Sequence, residues 1–224
     1  LDTYPINRRP DLFTALDTIQ PIEYIDFVSP LGITELGEYK RIKRTQGGIK
    51  HVQQFAIKPG IIKTDETIEG IILKGVGDDF EWNFLEEYLV RGRRLALPDS
   101  SMSREILISQ QTSERLKVDT SDAFIVHFVQ NGNIIRRRFE VVGIYKTGLE
   151  EYDRRFALVD IRQIQRILGW EDNQISGLEI FVDNIDDLRP LTEYIYLYIL
   201  PNNMYAETIR EKFPAIFEWL ELQD

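Results

Sequence analysis

Hydrophobic positions along this 224-residue chain follow two periods, and stretches of the two alternate from one end to the other. Apolar residues three or four apart predict a helix over 10–20, which Pro10 begins and Pro21 ends. The same period predicts a helix over 161–168, which Asp160 caps and Gly169 ends. Further helices are predicted over 110–116, 187–199 and 208–224.

Short apolar or alternating stretches predict strands at 22–28, 68–76, 105–108, 124–130, 133–142, 154–160, 176–184 and 203–207. Residues 33–46 carry only a weak helical face. The segments 22–27 and 49–55 share apolar positions followed by Pro and Gly, which either marks an internal repeat or arises by chance. Because strands and helices both occur throughout, the pattern favours an α+β fold.

The clearest local signal is a hairpin centred on Asn131-Gly132, since Asn-Gly is favoured in a two-residue type I′ turn. A turn there pairs Phe128 with Ile135 and Phe124 with Phe139. One face of the hairpin is then apolar and includes Val126. The other carries His127, Arg136, Arg138 and Glu140. The run of arginines is interpreted as a charged edge strand that resists aggregation, or alternatively as a docking patch.

Composition narrows the class of protein. The 43% hydrophobic content indicates a globular chain, as one large domain or two small ones. A net charge of -10 argues against nucleic acid as a partner and against simple adsorption to anionic lipid. The absence of cysteine leaves no disulfide or thiolate metal site, and it suits a secreted or periplasmic domain.

No stretch of the sequence predicts a membrane span. The longest apolar or aromatic run, Tyr194–Leu200, is far shorter than the ~20 residues of a spanning helix. The chain begins at Leu1 without a basic and apolar leader, so we expect any anchoring segments to lie outside both ends.

Residues that carry chemistry form no catalytic pattern. His51 and His127 stand far apart, without a metal-ligand spacing. Adjacent carboxylates are typical of solvated turns, and the glycines of 70–77 lack the phosphate-loop pattern. We therefore predict no catalytic residue, no metal ion and no cofactor. The alternative is a secreted hydrolase that uses Glu151 and Asp153 as paired acids.

Several segments, taken in order, resemble one family. They are IKHVQQFAIKPGIIK, EGIILKGV, EILISQQTSERLKVDTSD, FEVVGIYKTGLEEYD, RFALVDIRQIQRILGW, ISGLEIFVDN and IREKFPAIFEWLELQD. The set resembles the periplasmic domain of lipoprotein-releasing (LolC/LolE-type) ABC transporter permeases, which belong with the MacB-like and FtsX-like permeases. The resemblance runs from Ile49 to the end of the chain.

In such permeases this domain lies between the first two transmembrane helices, on the periplasmic side of the inner membrane. The resemblance implies a porter-like βαβ subdomain built from residues 1–70 and 175–224, with an inserted strand-rich, sabre-like subdomain over 71–174. The implied role is to couple ATP-driven motion of the transmembrane helices to extraction or export of a lipophilic cargo such as lipoproteins. The implied partners are a separate ABC ATPase subunit, a second permease copy or paralogue, and a periplasmic carrier or lipoprotein.

The resemblance also singles out three sets of residues. A motif turn contains Gly148, Glu151, Tyr152 and Asp153. The hairpin offers Gln130, Asn131, Gly132, Arg136 and Arg138 as contacts for a partner or cargo. The last segment offers Phe213, Phe217, Trp219 and Leu220 for coupling to a membrane helix.

Three features depart from the family. Lys117 and Ser121 stand where glycines are expected near LKVDTSD, which is a minor change. Residues 21–48 have no counterpart, and the hairpin closes at Asn131-Gly132 without the long hook with which such a permease recruits its carrier. The chain is therefore expected to resemble the partner subunit or to serve another cargo. The alternative function is a free-standing extracytoplasmic binding or scaffold module, FtsX-like and without transport.

Overall fold

The computed structural model describes residues 5–28, 39–63 and 68–214. By its contacts the chain divides into two compact units. We name Leu1–Arg8 with Gln53–Glu179 the barrel unit, and Arg9–Val52 with Ile180–Asp224 the terminal unit. The predicted division into two subdomains at residues 70 and 175 stays a prediction. Both positions lie inside the barrel unit.

Strands and helices both contribute, which confirms the predicted α+β class. The strands are β1 (Ile6–Asn7), β2 (Glu23–Val28), β3 (Tyr39–Arg44), β4 (Ile49–Lys63), β5 (Ile68–Val76), β6 (Leu89–Gly92), β7 (Glu105–Ser109), β8 (Ala123–Gln130), β9 (Asn133–Tyr145), β10 (Phe156–Asp160), β11 (Gln174–Ile175) and β12 (Gly177–Val182). The helices are α1 (Pro10–Asp17), α2 (Trp82–Glu86), α3 (Gln110–Leu116), α4 (Glu150–Arg155), α5 (Ile161–Leu168), α6 (Leu188–Tyr194) and α7 (Ile209–Lys212), with a 3-10 turn at Ile185–Asp187 and a π-helical segment at Ile195–Ile199.

Strands of the barrel unit pair into a closed ring. Around the ring the order is β4, β5, β10, β7, β9 and β8, and β8 pairs with β4 to close it. The β5–β10 and β7–β9 pairs are parallel, and the remaining pairs are antiparallel. Outside the ring, β12 joins β4 and β6 joins β9. Closure gives every ring strand a neighbour on both sides, which removes most of the exposed strand edge.

An internal twofold relates the two halves of the ring. One half runs through β4, β5, α2, β7 and α3, with β6 inserted, and the other through β8, β9, α4, β10 and α5. The hydrogen-bond registers obey this symmetry. Leu107 lies opposite its counterpart Leu158 where β7 meets β10, and Ile62 lies opposite its counterpart Val126 where β4 meets β8. The ring is therefore a structural duplication.

The main core lies inside the ring. Successive strand residues point to opposite faces, so Ile106 and Ile108 enter this core whereas Leu107 faces outward. Fully buried inward side chains include Ile62, Leu73, Val126, Phe128, Phe139, Ile144, Val159 and Ile164. The outward pair Leu107 and Leu158 belongs to a second cluster with Val76, Leu85, Leu95, Val142 and Tyr145.

Helices α3 and α5, which directly follow β7 and β10, begin and end in the same way. Ser109 and Asp160, the last residues of β7 and β10, are almost completely buried, and each side chain caps its helix by accepting a backbone N–H, at 3.1 Å and 3.0 Å. Each helix ends at a left-handed residue, Lys117 with φ +55° and Gly169 with φ +71°. The predicted cap at Asp160 and the predicted end at Gly169 are confirmed.

The predicted hairpin is also confirmed, because Phe128 pairs with Ile135 and Phe124 with Phe139. One other prediction is wrong. Residues 203–207 form no strand, since none of the described strands pairs with them and Tyr205 is 78% exposed. Residues 33–46 are ambiguous from their sequence, and 39–44 form β3 by antiparallel pairing with β2.

In the terminal unit, two aspartates hold the segment before β4. Buried Asp187 accepts the backbone N–H groups of Gln46 at 2.7 Å and Gly47 at 2.8 Å, and Asp183 accepts that of Gly48 at 2.9 Å. A Cβ on Gly48 would lie 2.2 Å from the carbonyl oxygen of Ile19, so only glycine fits there. Within residues 5–28, 39–63 and 68–214, no helix has the length and apolar character needed to cross a membrane.

The closing contact generates a stability prediction. Val126→Ala should lower the free energy of unfolding by about 2 kcal/mol, because it leaves a cavity in the ring core. Val129→Ala is the matched control, since Val129 lies on the opposite face of the same strand and is 64% exposed. It should change stability by less than about 0.5 kcal/mol. Urea unfolding measures both, and equal losses would contradict the assignment of the inward face.

Candidate functional site

The motif turn between β9 and β10 is organised by one buried carboxylate. Asp153 is only 7% exposed, and its side chain accepts the hydroxyl of Thr147 at 2.7 Å. It also accepts the backbone N–H groups of Thr147 and Gly148, both at 3.2 Å. Gly148 has φ +82°, a left-handed conformation that glycine adopts without strain. Asp153 thus satisfies the donors that this sharp turn would otherwise leave unpaired.

The other motif residues take different positions. Tyr152 is half-buried, and its aromatic ring stacks on that of Phe156 with 4.8 Å between the ring centroids. Glu151 is exposed. The hydroxyl of buried Ser109 donates to the backbone carbonyl of Asp153 and so links α4 to β7. The fold therefore brings Gly148, Tyr152 and Asp153 together but leaves Glu151 on the surface. Glu151 and Asp153 do not form the pair of free acids that a glycosidase needs.

A buried ion pair lies beside Tyr152. Lys74, on the outward face of β5, is 7% exposed, and its ammonium contacts the two carboxylate oxygens of Glu179 at 2.6 Å and 2.7 Å. Gln53 donates its side-chain amide to the same carboxylate at 2.7 Å. The rings of Phe55 and Phe80 lie 5.8 Å and 5.9 Å from the ammonium. This cluster attaches β12 to the ring through charge.

Electrostatics keep this lysine protonated. Burial lowers the pKa of Lys74, but Tyr152 and Glu179 more than offset it, so its pKa lies above the ordinary value. Burial raises the pKa of Tyr152, and Glu179 raises it further while Lys74 opposes the change. Lys74 is therefore charged and Tyr152 neutral at neutral pH. Sequence analysis missed Lys74, although one lysine inside the apolar run IEGIILKGV was a usable signal.

Two of the predicted partner-contact residues, Arg136 and Arg138, lie on the outward face of the β8–β9 hairpin. Asn131 and Gly132 form its turn, and Gln130 directly precedes that turn. We name as the hairpin face the side chains of Ile61, Ile125, Val129, Ile134, Arg136 and Arg138. Val129 and Ile134, which pair across the hairpin, are 64% and 66% exposed. Arg136 and Arg138 follow on β9 at alternate positions and are also exposed. The hairpin face thus combines unprotected apolar side chains with positive charge.

The turn that ends this hairpin is tight. Asn131 and Gly132 have φ values of +50° and +76°, as a type I′ turn requires. Both are exposed, and nothing lies within 4 Å of a Cβ built on Gly132. The side chain of Gln130 accepts the ammonium of Lys58 at 2.7 Å, which fixes it beside β4.

Of the predicted coupling residues, only Phe213 lies among the described residues. It directly follows α7 and is half-buried. Phe217, Trp219 and Leu220 lie outside the described residues. The described residues contain no group of three or more His, Asp or Glu side chains that could hold a metal ion.

Comparison with known proteins finds likeness at the level of solved structures. No protein family matches the sequence, and no curated protein matches it. A solved structure with a similar arrangement is the crystal structure of the extracellular domain of the noncanonic ABC-type transporter YknZ from Gram-positive bacteria. The two share 17% sequence identity and a TM-score of 0.49, over 84% of this chain and 79% of that one. No identification rests on a likeness at this level.

The motif turn predicts an asymmetry between two neighbouring acids. Asp153→Asn should lower the free energy of unfolding by about 2 kcal/mol, because an amide group would face backbone donors that now meet a carboxylate. Glu151→Gln removes the same charge from an exposed position and should shift stability by less than about 0.5 kcal/mol. Chemical denaturation of the two variants tests this, and a larger loss for Glu151→Gln would contradict the assignment.

The ion pair predicts a second asymmetry. Glu179→Gln should cost about 3 kcal/mol or more, because it leaves a buried ammonium without its counter-charge. Lys74→Met should cost less, since the side chain of Glu179 is 34% exposed and water can solvate it. A larger loss for Lys74→Met in urea unfolding would refute this reading.

The contribution of Lys74 to the free energy of unfolding should stay constant at pH values near neutrality. A lysine whose folded pKa exceeds its unfolded value stabilises the fold fully below the unfolded pKa, about 10.5, and ceases to do so only as the pH rises through the folded pKa.

Proposed function

We propose that the chain is the extracytoplasmic domain of an ABC transporter permease that couples ATP-driven motion of transmembrane helices to extraction or export of a lipophilic cargo. The observation that carries the proposal is the ordered set of segments, from Ile49 onward, that resembles these permeases. Most of these segments are consecutive strands and helices of the ring, so their order is also the order of one folded unit.

The character of the motif turn supports a mechanical role. Its buried groups bond to one another, and its exposed acid has no catalytic partner in the turn. The sequence contains no GxxxxGK[ST] phosphate loop. In this proposal ATP hydrolysis belongs to a separate ATPase subunit or domain.

The hairpin face is the proposed contact for a cargo or for a partner that carries it. Exposed Val129 and Ile134 offer apolar contact, and Arg136 and Arg138 offer charge to an acidic or phosphate-bearing group. A two-residue turn at Asn131-Gly132 leaves no room for a hook. Contact is therefore proposed through the strand face, and lipoproteins are the proposed class of cargo.

The last segment is proposed to transmit the motion. Phe213, Phe217 and Leu220 have the spacing of one helical face, and Trp219 directly precedes Leu220 in the sequence. In this proposal the segment continues toward a membrane helix on the outer side of the inner membrane. A second permease copy or paralogue completes the complex.

The first experiment asks whether an ATPase accompanies the protein. The chromosomal gene product, carrying an affinity tag, is purified from detergent-solubilised membranes. An ABC ATPase subunit should copurify in near-stoichiometric amount. Recovery from the extracytoplasmic soluble fraction without an ATPase would contradict the proposal and favour the free-standing binding module.

The second experiment tests the hairpin face in the same complex. Arg136→Glu with Arg138→Glu should abolish complementation of a deletion strain, while the ATPase still copurifies. Arg104→Glu with Arg166→Glu changes the charge equally at exposed positions away from this face and should complement normally. Full complementation by the Arg136 and Arg138 variant would remove the hairpin face from the proposal.

A further inference from the structure

The hairpin face is part of a wider exposed surface of the barrel unit. Strand side chains alternate between two faces, so Lys63 of β4 points outward like Ile61, because Ile62 between them is buried in the ring core. Strand β5 continues the surface, since its exposed Ile68 pairs with Lys63. The four strands are adjacent in the order β5, β4, β8 and β9. We name as the extended face the outward side chains of 59–63, 68–72, 125–129 and 134–138.

The extended face leaves aliphatic side chains in contact with solvent. Ile68, at 69%, is the most exposed of five, and the others are Ile61, Ile125, Val129 and Ile134. All five are β-branched and lie on adjacent strands. A contiguous exposed apolar surface of this kind marks a place where another molecule binds.

The charge of the extended face is positive, although the whole chain has 37 acidic and 27 basic residues. The face contains Lys63, Arg136 and Arg138 and no carboxylate. None of these three cations forms an ion pair with a described residue. The next outward residue of β9, Glu140, raises the pKa of Arg93 through its negative charge. The extended face is therefore a positive surface on a chain of net charge -10.

The residue types of the extended face favour lipid over protein as its partner. The residues that dominate protein–protein binding are enriched in Trp and Tyr and poor in Leu and Val. The extended face has no Phe, Tyr or Trp, and its large apolar side chains are those of isoleucine and valine. Such side chains give apolar contact without hydrogen bonds, which suits acyl chains. Arginine, in turn, binds phosphate through two parallel N–H···O bonds.

We propose that the extended face binds anionic phospholipid. Lys63, Arg136 and Arg138 hold the phosphate-bearing headgroups, and the aliphatic side chains beside them contact the acyl chains. Buried apolar area and attraction between basic side chains and anionic lipid both strengthen such binding. The net charge of the whole chain opposes adsorption, so binding depends on this local surface. The inference rests on the proposed function for the lipophilic class of molecule, and it adds phosphate as the headgroup chemistry.

Flotation of the whole chain with lipid vesicles tests the headgroup contact. The chain should bind vesicles of equal parts phosphatidylglycerol and phosphatidylcholine at least tenfold more tightly than vesicles of phosphatidylcholine alone. Arg136→Gln with Arg138→Gln should weaken this binding at least tenfold, because two of the three cations are lost. The matched control is Lys146→Gln with Arg166→Gln, which removes two exposed cations outside the extended face and should change the affinity less than twofold.

A second pair of variants tests the apolar contact. Val129→Ser with Ile134→Ser should weaken binding to the anionic vesicles at least fivefold. Phe84→Ser with Val90→Ser removes exposed apolar side chains from α2 and β6 and should change the affinity less than twofold. Circular dichroism checks that all four double variants are folded.

Poly-L-glutamate separates lipid from an acidic protein as the partner. Release of the chain from the anionic vesicles by poly-L-glutamate at equal charge concentration would overturn the proposal, since an acidic polymer would then be the better ligand. Failure to bind the anionic vesicles, equal binding to both kinds of vesicle, or equal weakening by test and control variants would overturn it too. None of these results bears on copurification of an ATPase, so failure of this inference is distinct from failure of the proposed function.

Discussion

The barrel unit depends on one short closing contact, where β4 meets β8. Among the described residues, two pairs form it, Ile61 with His127 and Ile62 with Val126, and they turn a curved sheet into a ring. Joining two distant hairpins costs chain entropy. Burial offsets that cost, because Val126, Phe128 and Phe139 become wholly inaccessible to water. Without the contact, the β8–β9 hairpin would expose this apolar side and an unpaired edge.

The closing contact lies on the internal twofold, as does the Leu107–Leu158 pair on the other side of the ring. Residues on such an axis meet their own counterparts, so packing there constrains both halves at once. Away from the axis the halves have diverged. The tetrapeptide LEEY follows the hairpin in each half, at 85–88 and 149–152, but Leu85 is buried whereas Leu149 is 40% exposed.

Turn and cap residues in the sequence predicted the hairpin and the helix ends well. They did not predict that the strands close into a ring. Asn131-Gly132 fixed the hairpin register, and Asp160 and Gly169 fixed α5, because turn and cap chemistry acts over a few residues. The Ile62–Val126 contact joins segments far apart in sequence, and no residue pattern signals it. The duplication could not be predicted from the sequence either, because the two halves match in hydrogen-bond register but have few identical residues at equivalent positions. Lys74 was visible in the sequence, but its partner Glu179 was not.

The stretch that most specifically resembles the permease family is also densely bonded. Asp153 accepts three donors of the turn, and Tyr152 borders the Lys74–Glu179 pair that connects β5 with β12. Sequence likeness in this stretch therefore reflects what the fold requires. The buried polar groups of the turn hydrogen-bond to one another and hold it rigid. None of them is left as a free acid, base or nucleophile. The turn therefore joins β9 to β10 rigidly, whereas the hairpin face keeps its apolar and positively charged side chains exposed to solvent.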